Sequence, residues 1–289
     1  MFNKRVVLGI CLILAPLTVP ASAVTKFEIS SAQASKIIDI AGRQRMLSQR
    51  MTKSACLTVA DVNYTTNYSD MITAHNDFLR AHTGLRRGSV ELGILPVTME
   101  DAVAEMQIVD AHWRVVSPFI GQIASSGTIS GNDLFALDHH SLILAATTGE
   151  TVTTIAEGYA KNIADISLAQ TITVDIAGRQ RMLSQKMVKE MCMITVMGLA
   201  ADDLEGTIKI FEASMNALIS GSPEAGVLLP SAPVLAKLIE AENLWITLRP
   251  AAVAACEGDT PSPETLAEFS VKMEDFLRAM NEVVGLYAI

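Results

Sequence analysis

The sequence predicts an all-α protein made of two tandem up-down-up-down four-helix bundles, and three observations carry that reading. The run Asp39 to Met51, DIAGRQRMLSQRM, recurs as Asp175 to Met187, DIAGRQRMLSQKM, with only Arg50 and Lys186 differing. A match at that separation marks a duplication of roughly half the chain rather than a short-period solenoid. Half of the residues are apolar but only 5% are aromatic, the balance of helices packed on helices. Finally, eight stretches with helical spacing follow one another between capping residues, glycines and prolines, without strand-like alternation.

The first segment is not expected to belong to either bundle. Lys4-Arg5, the apolar run Val6 to Val19 and the small residues Ala21-Ser22-Ala23 have the order of a secretory signal over residues 1–23. The apolar run is short and broken by Pro16 and Pro20, unlike a membrane anchor, and no later segment has the length and apolarity of a span. The expected product is a periplasmic or secreted chain starting near Val24, with a first bundle over 24–163 and a second over 164–289. The formal charge is −9, and loss of Lys4 and Arg5 makes it more negative. An acidic chain without a basic run is poorly suited to nucleic acid or anionic lipid.

In the first bundle, a serine at 30 or 31 can cap a helix running to about Ala60, because a side-chain oxygen there satisfies a free amide of the first turn. A second helix has its spacing over Asn67 to Thr83, followed by the glycine-rich loop Gly84 to Pro96. Thr98 is expected to cap the third helix, with Glu100 and Asp101 in its first turn, where negative charge favours the exposed amides. Trp113 precedes Pro118 by five residues, as Trp245 precedes Pro250; both tryptophans read as core anchors and both prolines as points that kink or end a helix. The fourth helix should run from about Asn132 to Asn162. The second bundle repeats the plan from Ser167 to Ala200, Asp203 to Ile219 and Ser231 to Cys256. Ser262-Pro263 supplies an N-cap and a first-turn proline for the last helix.

The repeated helix presents two stripes. Ile37, Ile40, Gln44, Leu47, Met51 and Ala55 should face their own bundle. Ile38, Gly42, Arg45, Gln49, Thr52 and Cys56 follow the alternating four-and-three spacing of a helix–helix seam. The matching stripe is Val174, Gly178, Arg181, Gln185, Val188 and Cys192. Gly42 and Gly178 permit close approach of two backbones. In a four-helix unit the chain ends where it began, so the two first helices can pack in parallel, with Arg45 opposite Arg181 and Cys56 near Cys192. Two guanidiniums at about 6 Å, in an effective dielectric of about 20, repel by roughly 3 kcal/mol. A small planar anion between them would remove that repulsion and accept charge-assisted hydrogen bonds. A single GRQRM would read as solvated helix surface; two near-identical copies between drifted flanks favour a site. The candidate ligand-binding residues are therefore Arg45, Arg181, Gly42, Gly178, Gln49 and Gln185. Arg43 and Arg50 lie on another side of the helix and read as surface or supporting residues.

Other chemistry is sparse. After the signal, Cys56, Cys192 and Cys256 remain, enough for at most one internal bridge. Cys56 and Cys192 are the candidate disulfide if the seam is parallel; a Cys192–Cys256 bridge would contradict that packing. None of the five histidines has the Glu-x-x-His spacing of a di-iron bundle, and His139-His140 reads as surface. The sequence has no phosphate loop, CxxC or nucleophile motif, so neither catalysis nor a cofactor or metal is expected.

AGRQRMLSQRM at 41–51 and AGRQRMLSQKM at 177–187 resemble the signature of the type IV pili methyl-accepting chemotaxis transducer N-terminal (PilJ-type) domain, a family related to the input domains of nitrate/nitrite sensor kinases. The resemblance implies a periplasmic helical bundle that senses a small anion, nitrate above all, held by one arginine from each of two first helices; these fall on Arg45 and Arg181. The expected partner is a membrane receptor or sensor kinase, to which a soluble receptor would hand its ligand state. Such domains usually sit between membrane helices, which this sequence lacks after its signal. The tandem is thus expected to fold into one chain what a homodimer does elsewhere. The competing reading is an interaction module that pairs with another PilJ-type receptor and takes no small molecule.

Overall fold

The computed structural model describes residues 29–163 and 167–287; the signal expected over 1–23 lies outside them. Eight α-helices are present among the described residues: α1 (Ser31–Val59), α2 (Tyr64–Arg87), α3 (Glu100–Ser126), α4 (Gly131–Asn162), α5 (Leu168–Met197), α6 (Asp202–Ser220), α7 (Ala232–Cys256) and α8 (Pro263–Tyr287). The fold is all-α in two halves of four helices.

Local chemistry sets most of the boundaries. The Ser30, Ser130 and Ser167 side chains accept from the amides of Gln33, Asp133 and Gln170, capping α1, α4 and α5, and Ser262 accepts from Thr265 in the same way at α8. Gly198, at φ 63°, stops α5 in a left-handed conformation that a side chain would resist. Three expectations need correction. The residue preceding α3 is Met99, without a side-chain cap, so Thr98 does not serve as one. Helix α2 continues to Arg87, shortening the loop after it. Pro118 and Pro250 sit inside α3 and α7 and end neither helix. The two loops after α2 and α6 share a design, closed by antiparallel bridges Ser89–Ile94 and Ser222–Val227.

In the first half, α1 packs on α2 and α4, and α3 on α4; in the second, α5 packs on α6 and α8, and α7 on α8. The halves meet where α1 packs on α5. One core joins them, in which Met51, Leu57 and Phe78 share a cluster with Met187, Phe211 and Phe276. Each such side chain, fully withdrawn from water, stabilises the fold by about 1.5–3 kcal/mol. A smaller cluster, with Ile37, Leu85, Val152 and Ile155, belongs to the first half alone. Trp245 is buried against Phe211, and its indole N–H donates to Glu212; Trp113 is half-buried and stacks on Phe78. The central helices α1 and α5 are therefore covered on nearly every side, so a polar group on them needs a partner within the protein or a ligand.

Candidate functional site

Helices α1 and α5 run side by side in the same direction. Two sets of links establish this: the crossed pairs Asp39–Arg181 and Arg45–Asp175 join the N-terminal halves of the two helices, and the disulfide Cys56–Cys192, with Cα atoms 6.2 Å apart, joins them further along both. Cys256 is a free thiol.

The arginines converge on the glycines. A Cβ on Gly42 would stand 3.7 Å from Arg181 Nη2 and 3.8 Å from Arg45 Nη2; one on Gly178 would stand 3.3 and 3.6 Å from the same atoms. Any larger side chain at either glycine would intrude on the space the two guanidiniums share. Both arginines are buried, at 4% and 2% relative exposure, and the Nε atoms of both lack a hydrogen-bond partner. Burial pushes the Arg181 pKa below its ordinary value; Asp39 opposes this, and the nearby Arg43 and Arg45 add to it.

The guanidiniums are not bare, which corrects the expectation of uncompensated repulsion. Arg45 Nη2 lies 2.5 Å from Asp175 Oδ1, and Arg181 Nη2 lies 2.9 Å from Asp39 Oδ1. Each repeat thus supplies a carboxylate to the arginine of the other. Asp39 and Asp175 belong to the repeated block itself, and their exchange across the seam depends on register and rotation that one helix's period does not specify. Arg43 is half-buried with no ion-pair partner among the described residues, whereas Arg50 pairs with Asp70 and Glu274.

Gln49 and Gln185 are completely buried, one turn beyond the arginines. Gln49 donates to the Ser141 carbonyl of α4 at 3.0 Å, and Gln185 donates to Ser184 Oγ at 3.4 Å. Their side-chain oxygens are buried without partners. The structure thus brings Gly42, Gly178, Arg45 and Arg181 to one spot, with the two glutamines along the same seam.

The halves differ around the arginines. Gly149 on α4 and Asn281 on α8 stand equally far from the serines that cap their helices, Ser130 and Ser262. A Cβ on Gly149 would lie 3.3 Å from Arg45 Cδ, so the glycine gives that side chain room. Asn281 instead accepts from Arg181 Nη1 at 3.2 Å.

Nearer the disulfide lies a second layer that the sequence did not reveal. Lys53 and Lys189, both 1% exposed, pair with Glu274 of α8 and Asp138 of α4 respectively, each an acid from the opposite repeat. Burial pushes the Lys53 pKa down. Burial also works against ionisation of Glu274, but Lys53 and Arg50 outweigh it and hold that carboxyl below the usual range. Lysines are rarely buried this fully, and the partners come from helices distant in sequence, so no local spacing announced them.

No group of three or more metal-ligating side chains occurs among the described residues, and no described helix is long and apolar enough to cross a membrane. A search of curated proteins finds no match to the chain. The family described as the type IV pili methyl-accepting chemotaxis transducer N-terminal domain, PilJ, matches it twice, over residues 30–133 and 165–269. Both matches contain a copy of the arginine-bearing helix and extend to the opening residues of that repeat's last helix. Domains of this family are sensory and signalling modules. With the greater part of its length covered by two copies, the chain belongs to the PilJ family of chemotaxis transducer N-terminal domains.

Proposed function

We propose that the protein is a periplasmic ligand-binding sensor that takes a small oxyanion, nitrate or nitrite, between Arg45 and Arg181. The observation that carries this reading is the convergence of two buried guanidiniums over Gly42 and Gly178, each with an unpartnered Nε. A planar anion there would accept N–H donors from both halves and add negative charge where burial disfavours a cation. Because the two seam helices belong to one chain, binding would alter contacts within a single molecule, which then presents its ligand state to a membrane receptor or sensor kinase.

Calorimetry on the protein without residues 1–23 tests this with nitrate, nitrite and chloride. Nitrate or nitrite heat that disappears in Arg45→Ala and in Arg181→Ala is the expected result. Absence of heat at millimolar anion overturns the reading.

The exchanged carboxylates favour a second reading, because Asp39 and Asp175 already balance the arginines. Under it the seam is a self-satisfied joint, and the protein is an interaction module that pairs with another PilJ-type receptor. Anion-independent association with such a receptor, together with silent calorimetry, would select it.

A further inference from the structure

Arg45 has a second surrounding that the seam does not use. It lines a cleft of about 680 Å³ bounded by α1, α3, α4, α5 and α6, far more space than a four-atom anion fills. Its Nη2 is engaged by Asp175, while Nε is buried without a partner. In the same cleft stands Glu105 of α3. Glu105 Oε1 accepts from Thr154 Oγ1 at 2.7 Å, and Oε2 is buried without a partner. Arg45 packs over Gly149 and Glu105 meets Thr154, five residues further along α4. At 1.5 Å of rise per residue, these anchor points are roughly 7.5 Å apart along the helix axis. No ion pair joins Arg45 to Glu105 among the described residues; the rest of the wall combines apolar Leu142, Ala145, Met182 and Leu183 with Glu150 and with Arg179 and Lys186, which pair with Asp175 and Glu190.

The duplicated cleft has diverged from this pattern. It has a volume of about 490 Å³ and is lined by Arg181, Arg43 and Arg50, the last two matching Arg179 and Lys186 of the first cleft, with Lys36, Asp39 and Asp77 added and Asn281 where the first has Gly149. In sequence Lys237 takes the position of Glu105, at the same spacing before the tryptophan (Glu105–Trp113, Lys237–Trp245), but it pairs with Glu240 and Glu282 and does not line the second cleft. The charge at that position is thus reversed between the repeats.

A buried cation and a half-buried carboxylate, each with an unused hydrogen-bonding atom, line one cleft without pairing with each other. We propose that this cleft binds a small amino acid, its carboxylate on Arg45 and its ammonium on Glu105, with its carbon skeleton against the apolar wall. The proposal rests on the reading that Arg45 receives an external anion, and goes beyond it by assigning an organic zwitterion and the residue that selects its positive end.

The test is calorimetry with glycine, 4-aminobutanoate and 6-aminohexanoate, with butanoate and butylamine as singly charged controls and nitrate alongside. The expected result is that at least one amino acid binds and both controls bind at least tenfold more weakly. Glu105→Gln should lose about tenfold in amino-acid affinity while nitrate heat is unchanged, and Arg45→Ala should lose both ligands. Nitrate heat without amino-acid binding, butanoate binding as tightly as 4-aminobutanoate, or full amino-acid affinity in Glu105→Gln overturns this proposal and leaves the anion reading standing. Silence with every probe overturns both. The controls on the unaltered protein decide the matter whether or not the variants fold well.

Discussion

Arg45 of the first repeat is held by Asp175 of the second, Nη2 to Oδ1 at 2.5 Å, so the arginine that would receive an anion already has a carboxylate from across the seam. Removing one member of a buried ion pair leaves the other charge without compensation, and Asp175→Asn should cost about 3 kcal/mol of stability. Nitrate would replace the missing negative charge. Thermal melts should therefore show a larger rise in Tm with millimolar nitrate in Asp175→Asn than in the unaltered protein. An equal rise in both, or none, would show that the anion does not share this ground with the carboxylate.

Gly42 separates packing from binding. An alanine methyl there would make ordinary contacts with both Nη2 atoms, at 3.7 and 3.8 Å, and would favour the helix by up to about 1 kcal/mol. The same methyl takes up space between the guanidiniums. Gly42→Ala should hold or raise the urea midpoint while abolishing nitrate heat; a lower midpoint with binding intact would reverse that assignment.

The Cys56–Cys192 disulfide closes a loop of 136 residues and is completely buried. Restricting so long a loop in the unfolded chain is worth about 3–5 kcal/mol. Cys56→Ser/Cys192→Ser should shift the guanidinium midpoint down accordingly. In the native protein the bridge should resist dithiothreitol until denaturant opens the core, a difference that thiol alkylation followed by mass spectrometry reads directly.

His82 gives stability a pH dependence. It is buried, with Gln44 donating to Nδ1 at 3.2 Å and its Nε2–H donating to Asp110 at 2.9 Å; Arg86 shares that carboxylate. Burial pushes its pKa below 6.5, against the pull of Asp110. The unfolded chain therefore takes up the proton first as pH falls. The stability that His82 contributes is present above pH 6.5 and is lost as pH drops through the folded-state value. The slope cannot exceed about 1.4 kcal/mol per pH unit. Urea unfolding at pH 7.5 and 5.5 should show a loss that shrinks in His82→Gln.

Much of the fold was legible in the chain because its signals are local. Ser30, Ser167 and Ser262 mark helix starts through hydrogen bonds to amides three residues away, and Ser130, not singled out in the sequence, caps α4 in the same way. The four-and-three stripe from Ile38 to Cys56 is a property of one helix's period, and the duplication supplied the partner helix. The limits of that locality show at Thr98, which does not cap α3, and at Pro118 and Pro250, which do not end α3 and α7.

By itself, the sequence determined two tandem helical units and a seam carrying Gly42, Arg45 and their repeats. Only the tertiary structure decided what those arginines meet: Asp39 and Asp175 exchanged between repeats, Gly149 beneath one and Asn281 beside the other, and Lys53 and Lys189 buried against acids of the opposite half. The physical reason is that helical periodicity fixes which side chains share a face, whereas the register and rotation of packed helices fix which charges come within reach of one another.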